Sequence, residues 1–267
     1  MKRTIVITGA TSGIGKELVK LFANDCKVFA AYRNKNLIDN IENVEYFYMD
    51  MTDRNSIVTA ADFIKSKSSK VDVLINVAGC VIAGPIEQVE GNLLREQFEV
   101  NTFSHLEFTQ YLVPIMSGAK VINISSMASF GHFPFVSPYC ASKRALDILF
   151  NAFAIENHKD IKVVSIKPGV IATPLWTKSV SKNEKLLSNC IGYEKEMEFM
   201  KLNALKNSEK GLDVSKVANL VYKVANMKNP RASYTIGFDA KFAQILSLFP
   251  QDIINNLVKL GMKARIK

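Results

Sequence analysis

The sequence predicts an α/β fold, a doubly wound parallel sheet in a single domain, and three observations carry that reading. Short β-branched or apolar runs bounded by turn residues alternate with longer stretches of helical spacing along most of the chain. A strand, a glycine-rich turn and a helix start open the chain in immediate succession. The 267 residues, 48% of them hydrophobic, suit one large core, and no second domain or internal repeat is visible.

In order, Thr4-Ile5-Val6-Ile7 is the first strand, and Thr8-Gly9-Ala10-Thr11-Ser12-Gly13-Ile14-Gly15 follows directly. Ile14, Leu18, Leu21 and Phe22 then recur at helical spacing. Such a turn is a phosphate cradle: missing side chains let the backbone approach, and the helix dipole favours the anion. The spacing is Gly-x-x-x-Gly-x-Gly, which departs from the Gly-x-Gly-x-x-Gly fingerprint. A tight strand-to-helix connection is the plain alternative, and the strand–helix context favours phosphate binding.

Lys27 to Tyr32 reads as the second strand, ending about twenty residues past the glycines, where a dinucleotide fold meets the adenosine ribose. Its tip, Tyr32-Arg33-Asn34-Lys35, has no carboxylate to bind a 2′-hydroxyl, and Arg33 offers a fork to a phosphate. NADP(H) is therefore expected over NAD(H), against the alternative that Arg33 is a solvated turn residue. Glu45 to Met49 is a third strand, with Asp50 and Met51 at its end. Val71 to Ile75 is a buried-type strand closed by Asn76-Val77-Ala78-Gly79, where Asn76 is either a ligand-facing or an ordinary turn residue. A long helix from about Leu93 to Met116 contains Asn101, a residue that mid-helix needs a partner or solvent. Lys120 to Ile124, ending in Ser125 and Ser126, and Ile161 to Ile166, ending in Lys167-Pro168-Gly169, are further strands. Val214 to Val224 and a last strand near Ala232 to Ile236 complete the alternation.

Between the fifth and sixth strands, Ser137-Pro138-Tyr139-Cys140-Ala141-Ser142-Lys143 opens an amphipathic helix whose Ala145, Leu146, Leu149, Phe150 and Phe153 face the core. Tyr139 and Lys143 share one helical face, so the ammonium is expected to lower the phenol pKa and make it a usable acid and base. Taken alone, the pair is no more than an exposed helix pair.

Net charge is +9, a bias toward anions that specifies no partner, and no nucleic-acid recognition motif is present. Cys26, Cys80, Cys140 and Cys190 are scattered, so free thiols in a reducing cytoplasm and no metal site are expected. No apolar run is long enough to span a bilayer, and Met1-Lys2-Arg3 leads straight into the first strand without room for a signal peptide.

Taken together, the glycine turn and the tyrosine motif resemble the short-chain dehydrogenase/reductase family, from residue 4 to about 240, which implies a Rossmann fold. Gly9, Gly13 and Gly15 match the cofactor turn, with Thr11, Ser12 and Ile14 inside it, and Asp50 followed by Met51 matches the adenine contact. Asn76, Ala78 and Gly79 match the family's Asn-Asn-Ala-Gly, with Val77 in place of the second asparagine. The resemblance implies four catalytic residues, Asn101, Ser126, Tyr139 and Lys143. Ser126 lies thirteen residues before Tyr139, the family interval. Pro168, Gly169, Val170 and Thr173 resemble the segment that closes over the nicotinamide. On this resemblance Tyr139 protonates a carbonyl while Ser126 steadies its oxygen. Lys143 holds the nicotinamide ribose, and Asn101 positions a water that links Lys143 to solvent.

The function so implied is interconversion of a ketone and a secondary alcohol, on a lipophilic substrate by loose similarity to members acting on hydroxysteroids and retinoids. The alternatives are a reductase of small ketones or 3-oxoacyl thioesters, and a non-catalytic NADP(H) sensor. Family members commonly pair through the helices near 93–116 and 138–158, so a homodimer or tetramer is expected.

Two segments fall outside the alternation. Residues 175–212, polar with an apolar minority of Leu186, Leu187, Tyr193, Met197, Phe199 and Met200, read as a substrate-loop insertion. Met197 and Met200 fit either a helix core or an adaptable binding surface. Residues 239–267 read as an apolar helical end, with Ile253, Leu257 and Leu260 at helical spacing and Lys259, Lys263, Arg265 and Lys267 among them. That end either packs on the core or a neighbouring subunit, or touches a membrane surface weakly. With residues 175–212 it is expected to wall an apolar pocket over Tyr139.

Overall fold

A computed structural model describes residues 2–188 and 190–266; the side chains of Lys185, Leu187 and residues 263–267 lie outside the description. Seven strands form one parallel sheet: β1 (Thr4–Ile7), β2 (Lys27–Tyr32), β3 (Val44–Tyr48), β4 (Val73–Asn76), β5 (Lys120–Ile124), β6 (Lys162–Pro168) and β7 (Ser233–Ile236). Their order is β3-β2-β1-β4-β5-β6-β7, so the chain winds outward from β1 and then returns to its other side at β4. The carboxyl ends of β1 and β4 therefore flank the switch point, where open sheets hold ligands.

The alternation within each strand divides the core between the two faces. Ile5 and Ile7 pack with Leu18 and Phe22 of α1 (Gly13–Ala23) and Val217 and Val221 of α9 (Val214–Asn226). Val6, Phe29 and Leu74 pack on the opposite face with Ile57 and Ile64 of α2 (Arg54–Lys67), Phe108 of α4 (Ser104–Leu112), and Leu146 and Phe150 of α5 (Ser137–Glu156). A period of two in the strands and helices on both sides produce this three-layer arrangement.

The expected long helix is interrupted. α3 (Gly91–Phe98) passes through a π-helical turn, Glu99–Phe103, into α4, and a short 3₁₀ turn containing Pro114 ends it. Asn101 sits within the π turn, a place where such bulges often mark a site. The 175–212 segment is helical: α6 (Leu175–Lys182), α7 (Glu184–Ser188) and α8 (Glu194–Lys210). Met197 is buried and Met200 half-buried, and neither lines the cleft described below, so Met197 serves the helix core.

The carboxyl end forms α10 (Phe238–Leu246) and α11 (Gln251–Ile266). It does not pack its apolar stripe inward: Ile253, Leu257 and Leu260 are exposed, while Ile254 and Val258 are half-buried. His132 fastens α11 by bonding Asn255 Oδ1 at 2.8 Å. No helix among the described residues is long and apolar enough to cross a membrane.

Candidate active site

A cleft of about 660 Å³ opens at the carboxyl ends of the central strands. One end is the turn after β1. Gly9 (φ +61°) and Gly13 (φ +49°) adopt left-handed conformations that favour glycine. A side chain at Gly9 would lie 2.9 Å from the Ala78 backbone, so its absence lets the first turn and the end of β4 close together. Thr8 completes this corner: its buried hydroxyl accepts hydrogen bonds from the Val77 and Ala78 N–H groups, at 2.9 and 3.2 Å. Thr11, Ser12 and Ile14 line the cleft, whereas Gly15 does not, because its α-carbon faces the Gly9 carbonyl, where a Cβ would come within 2.2 Å.

Beyond the turn, Tyr32, Arg33 and Asn34 line the same end with Asp50 and Met51. Arg33 is exposed, and no carboxylate pairs with it among the described residues. Asp50 Oδ1 accepts from the N–H and hydroxyl of Thr52, which fixes the carboxylate at the strand end. A glycine cradle at a helix start fits the pyrophosphate of a nicotinamide dinucleotide, and the Arg33 guanidinium stands at the tip of β2 beside it.

Ser126, Tyr139 and Lys143 gather on the wall at the other end. Ser126 follows β5, and its hydroxyl caps the next 3₁₀ turn by accepting from Ala128 N at 3.1 Å. Lys143 is buried and donates to the Ile124 carbonyl at 2.9 Å. Burial pushes its ammonium down to about 8, against the opposing pull of Asp147. Tyr139 is half-buried in the wall. Loss of hydration pushes its phenol up to about 12, and a hydrogen bond with Ser126 only partly offsets that. The net direction is opposite to the lowering expected from the Tyr139–Lys143 spacing, because removing a phenolate from water outweighs what the neighbouring groups return.

Asn101 and Asn76 do not reach the wall. Asn101 is fully buried: its Oδ1 accepts from Cys80 N at 2.9 Å, and its Nδ2 donates to Cys80 O and Ser142 Oγ, both at 3.0 Å. It lies just behind Gly79, where a Cβ would stand 3.3 Å from Asn101 Oδ1 and 3.7 Å from Lys143 Nζ. Asn76 donates to Asn123 Oδ1 at 2.8 Å, tying β4 to β5. Ala78 and Gly79 do line the cleft. So do Pro168, Gly169 and Thr173, while Val170 turns its N–H to Asp239 Oδ2 at 2.7 Å.

Three contributors escaped the sequence reading. Thr8 could have been found, since it opens the glycine motif. Asp239 of α10 clamps the 168–170 turn, and a side chain at Gly169 would collide with it. Lys182 of α6 pairs with Glu96 of α3 across the cleft. Neither of the last two has a local sequence signal. The cover of the cleft comes from Pro174, Leu175 and Trp176; among the described residues none of 239–267 lines it, which corrects the expectation that the carboxyl end walls the pocket.

A family model described as short chain dehydrogenase matches residues 3–184. The chain belongs to the short-chain dehydrogenase/reductase family of NAD(P)-dependent oxidoreductases. It is 30% identical to the NADPH-dependent 3-dehydrocapnine reductase of Ornithobacterium rhinotracheale, covering 98% of both chains. It is 28% identical to the 3-ketodihydrosphingosine reductase of Bacteroides thetaiotaomicron, covering 96% of both. A short chain dehydrogenase from Burkholderia cenocepacia, solved with NADP, superposes with a TM-score of 0.74 at 20% identity, over 96% of this chain and 97% of that one.

Proposed function

We propose that the protein uses NADP(H) to reduce a ketone to a secondary alcohol on a lipophilic substrate, with Tyr139 as the proton donor. The observation that carries this reading is the cleft itself. It runs from the glycine turn and Arg33 to a wall of Ser126, Tyr139 and Lys143, under an apolar cover that includes Leu175 and Trp176.

Bound NADP(H) supplies the hydride. The chain supplies everything else. Gly9, Gly13 and the helix start hold the pyrophosphate, and Arg33 holds the 2′-phosphate. Ser126 orients the carbonyl oxygen and supports the charge that develops there. Tyr139, whose phenol burial pushes up to about 12, carries at neutral pH the proton that it would give to that oxygen. Lys143 presents a buried ammonium behind it, fixed by the Ile124 carbonyl. Asn101 acts as a positioning residue: it fixes the Cys80 backbone and, through Ser142, the helix that carries Tyr139 and Lys143. The start of the 175–212 segment, Leu175 and Trp176 of α6, serves as the substrate cover.

The two curated relatives are named as a 3-dehydrocapnine reductase and a 3-ketodihydrosphingosine reductase, which supports the reduction of a ketone. Exposed Phe103, Ile148 and Ile155 on the π turn and α5 support a homodimer or tetramer built on these helices. The test follows NADPH consumption with long-chain 3-keto lipids, steroids, small ketones and 3-oxoacyl thioesters, wild type beside Tyr139→Phe. Turnover of the keto lipids that is lost in the variant supports the reading. NADPH binding with no turnover of any of them would favour a sensor.

A further inference from the structure

We propose that α10, the α10–α11 corner and α11 form a docking surface for an anionic lipid layer, with a cationic recess between β7 and α10 taking the headgroups. The observations are independent of which ketone is reduced. α10 turns two small residues, Ala240 and Ala243, to the protein, and its large residues Phe238, Phe242 and Ile245 stand outward in one stripe. Phe238 is 88% exposed. Leu248 and Phe249 continue the stripe through the corner, and Ile253, Leu257 and Leu260 carry it along α11. Isolated exposed apolar residues are ordinary, but eight along two successive helices and the corner that joins them are of the kind that marks an interaction surface.

Beside this stripe, Arg231, Lys241, Ser233, Thr235 and Gln244 line a shallow recess with Ile245 at its edge. Arg231 and Lys241 are exposed, and no carboxylate lines the recess among the described residues. Residues 238–267 carry five basic residues against two acidic ones, Asp239 and Asp252. Asp239 is engaged with the Val170 and Ala240 N–H groups, so Asp252 is the acidic residue left facing solvent. An apolar stripe edged by cations matches the acyl boundary and the acidic headgroups of a bilayer surface. A second copy of the chain fits less well. A two-fold contact sets the same patch against itself, and among the described residues this face offers one exposed carboxylate, Asp252, to receive Arg231, Lys241 and Lys259 of the facing copy. α11 also joins the His132 loop, which leads to Tyr139, to α8, which packs on the cleft cover α6. Docking would therefore set the cover beside the lipid that holds an apolar substrate.

The test is cosedimentation of the full-length protein with vesicles of phosphatidylcholine alone or mixed with phosphatidylglycerol, at low and high salt. Binding is expected to the mixed vesicles only, and to fall at high salt. Arg231→Glu/Lys241→Glu should weaken it roughly tenfold or more, as should Phe242→Ser/Ile245→Ser. A control with the same charge change elsewhere, Lys20→Glu/Lys159→Glu, should weaken it less. Circular dichroism and NADPH binding report whether each variant is folded, and Arg231→Gln/Lys241→Gln is the milder recess variant. The proposal is overturned if the wild type ignores the mixed vesicles at low salt, or if the control and recess variants behave alike. It is also overturned if the protein ignores vesicles and Phe242→Ser/Ile245→Ser lowers its molar mass by light scattering. The face would then join copies of the chain. Loss of turnover with vesicle binding intact would concern the reductase reading alone.

Discussion

Lys167 Nζ lies 2.9 Å from the Asp147 carboxylate, and both side chains are almost wholly buried. Lys167 immediately precedes the Pro168-Gly169 turn and stands 4.6 Å over the Phe130 ring. Asp147 is one helical turn beyond Lys143 and favours its ammonium. One buried carboxylate thus serves two buried lysines, Lys143 in the cleft wall and Lys167 just before the Pro168-Gly169 turn.

Asp147→Asn should cost about 3 kcal/mol in denaturant unfolding, because it strands Lys167 as an unpaired buried charge. It should also let Lys143 lose its proton at lower pH than the value near 8, so the alkaline fall in kcat/KM moves toward acid. Asp147→Asn/Lys167→Met should regain stability while keeping the shifted profile. A double variant with a wild-type profile would show that Asp147 does not act on Lys143.

Burial also sets an acid limit. His105 is buried, with Nε2 2.9 Å from the Ala78 carbonyl oxygen, and loss of hydration followed by the charge of Lys143 holds its pKa down at about 3. In the unfolded chain the ring takes its proton near pH 6.5, so between these values the unfolded state binds more protons and stability falls with acidification. At pH 5 the loss from this group is about 2 kcal/mol. His105→Gln should flatten that limb when unfolding free energies at pH 7.5 and 5 are compared. An equal acid loss in both proteins would assign it to other groups.

At the wall, Tyr139→Phe should reduce kcat roughly a thousandfold and leave NADPH affinity nearly unchanged. Ser126→Ala removes the one hydrogen bond that pulls the Tyr139 pKa down. Its kcat should fall roughly a hundredfold. Steady-state kinetics beside fluorescence titration of NADPH separate the two effects. Near-normal turnover in the phenylalanine variant would mean another proton donor.

At the opposite end, Arg33→Ala should raise the NADPH KM roughly tenfold and leave that for NADH unchanged, since only a 2′-phosphate needs the guanidinium. Parallel kinetics with the two cofactors decide it. Equal changes would return Arg33 to the role of a solvated turn residue.

The sequence by itself determined what local rules govern. β-Branched runs and their turn residues set the strands. The Lys27–Tyr32 expectation coincides with β2, because six consecutive residues suffice to specify a buried strand. The Gly9 and Gly13 turn was legible because positive φ and close approach have a residue type of their own. The helical spacing of Tyr139 and Lys143 put both on one wall.

Only the tertiary structure decided the rest, because it depends on residues that strand order brings together from far apart in the chain. The pairing of Asp147 with Lys167 and of Val170 with Asp239 follows from where β6 and α10 lie. The Tyr139 pKa reversed direction because spacing fixes a neighbour but not how much water is lost. Asn101 sits behind the wall, in a π turn and bonded to the Cys80 backbone, a contact between distant residues that no helical wheel reveals. The apolar stripe of α11 fitted a core or a surface equally well as a pattern. It faces outward because the half-buried side of the helix, fastened through Asn255 to His132, already holds Ile254 and Val258. Periodicity defines a face, and the rest of the chain decides what that face meets.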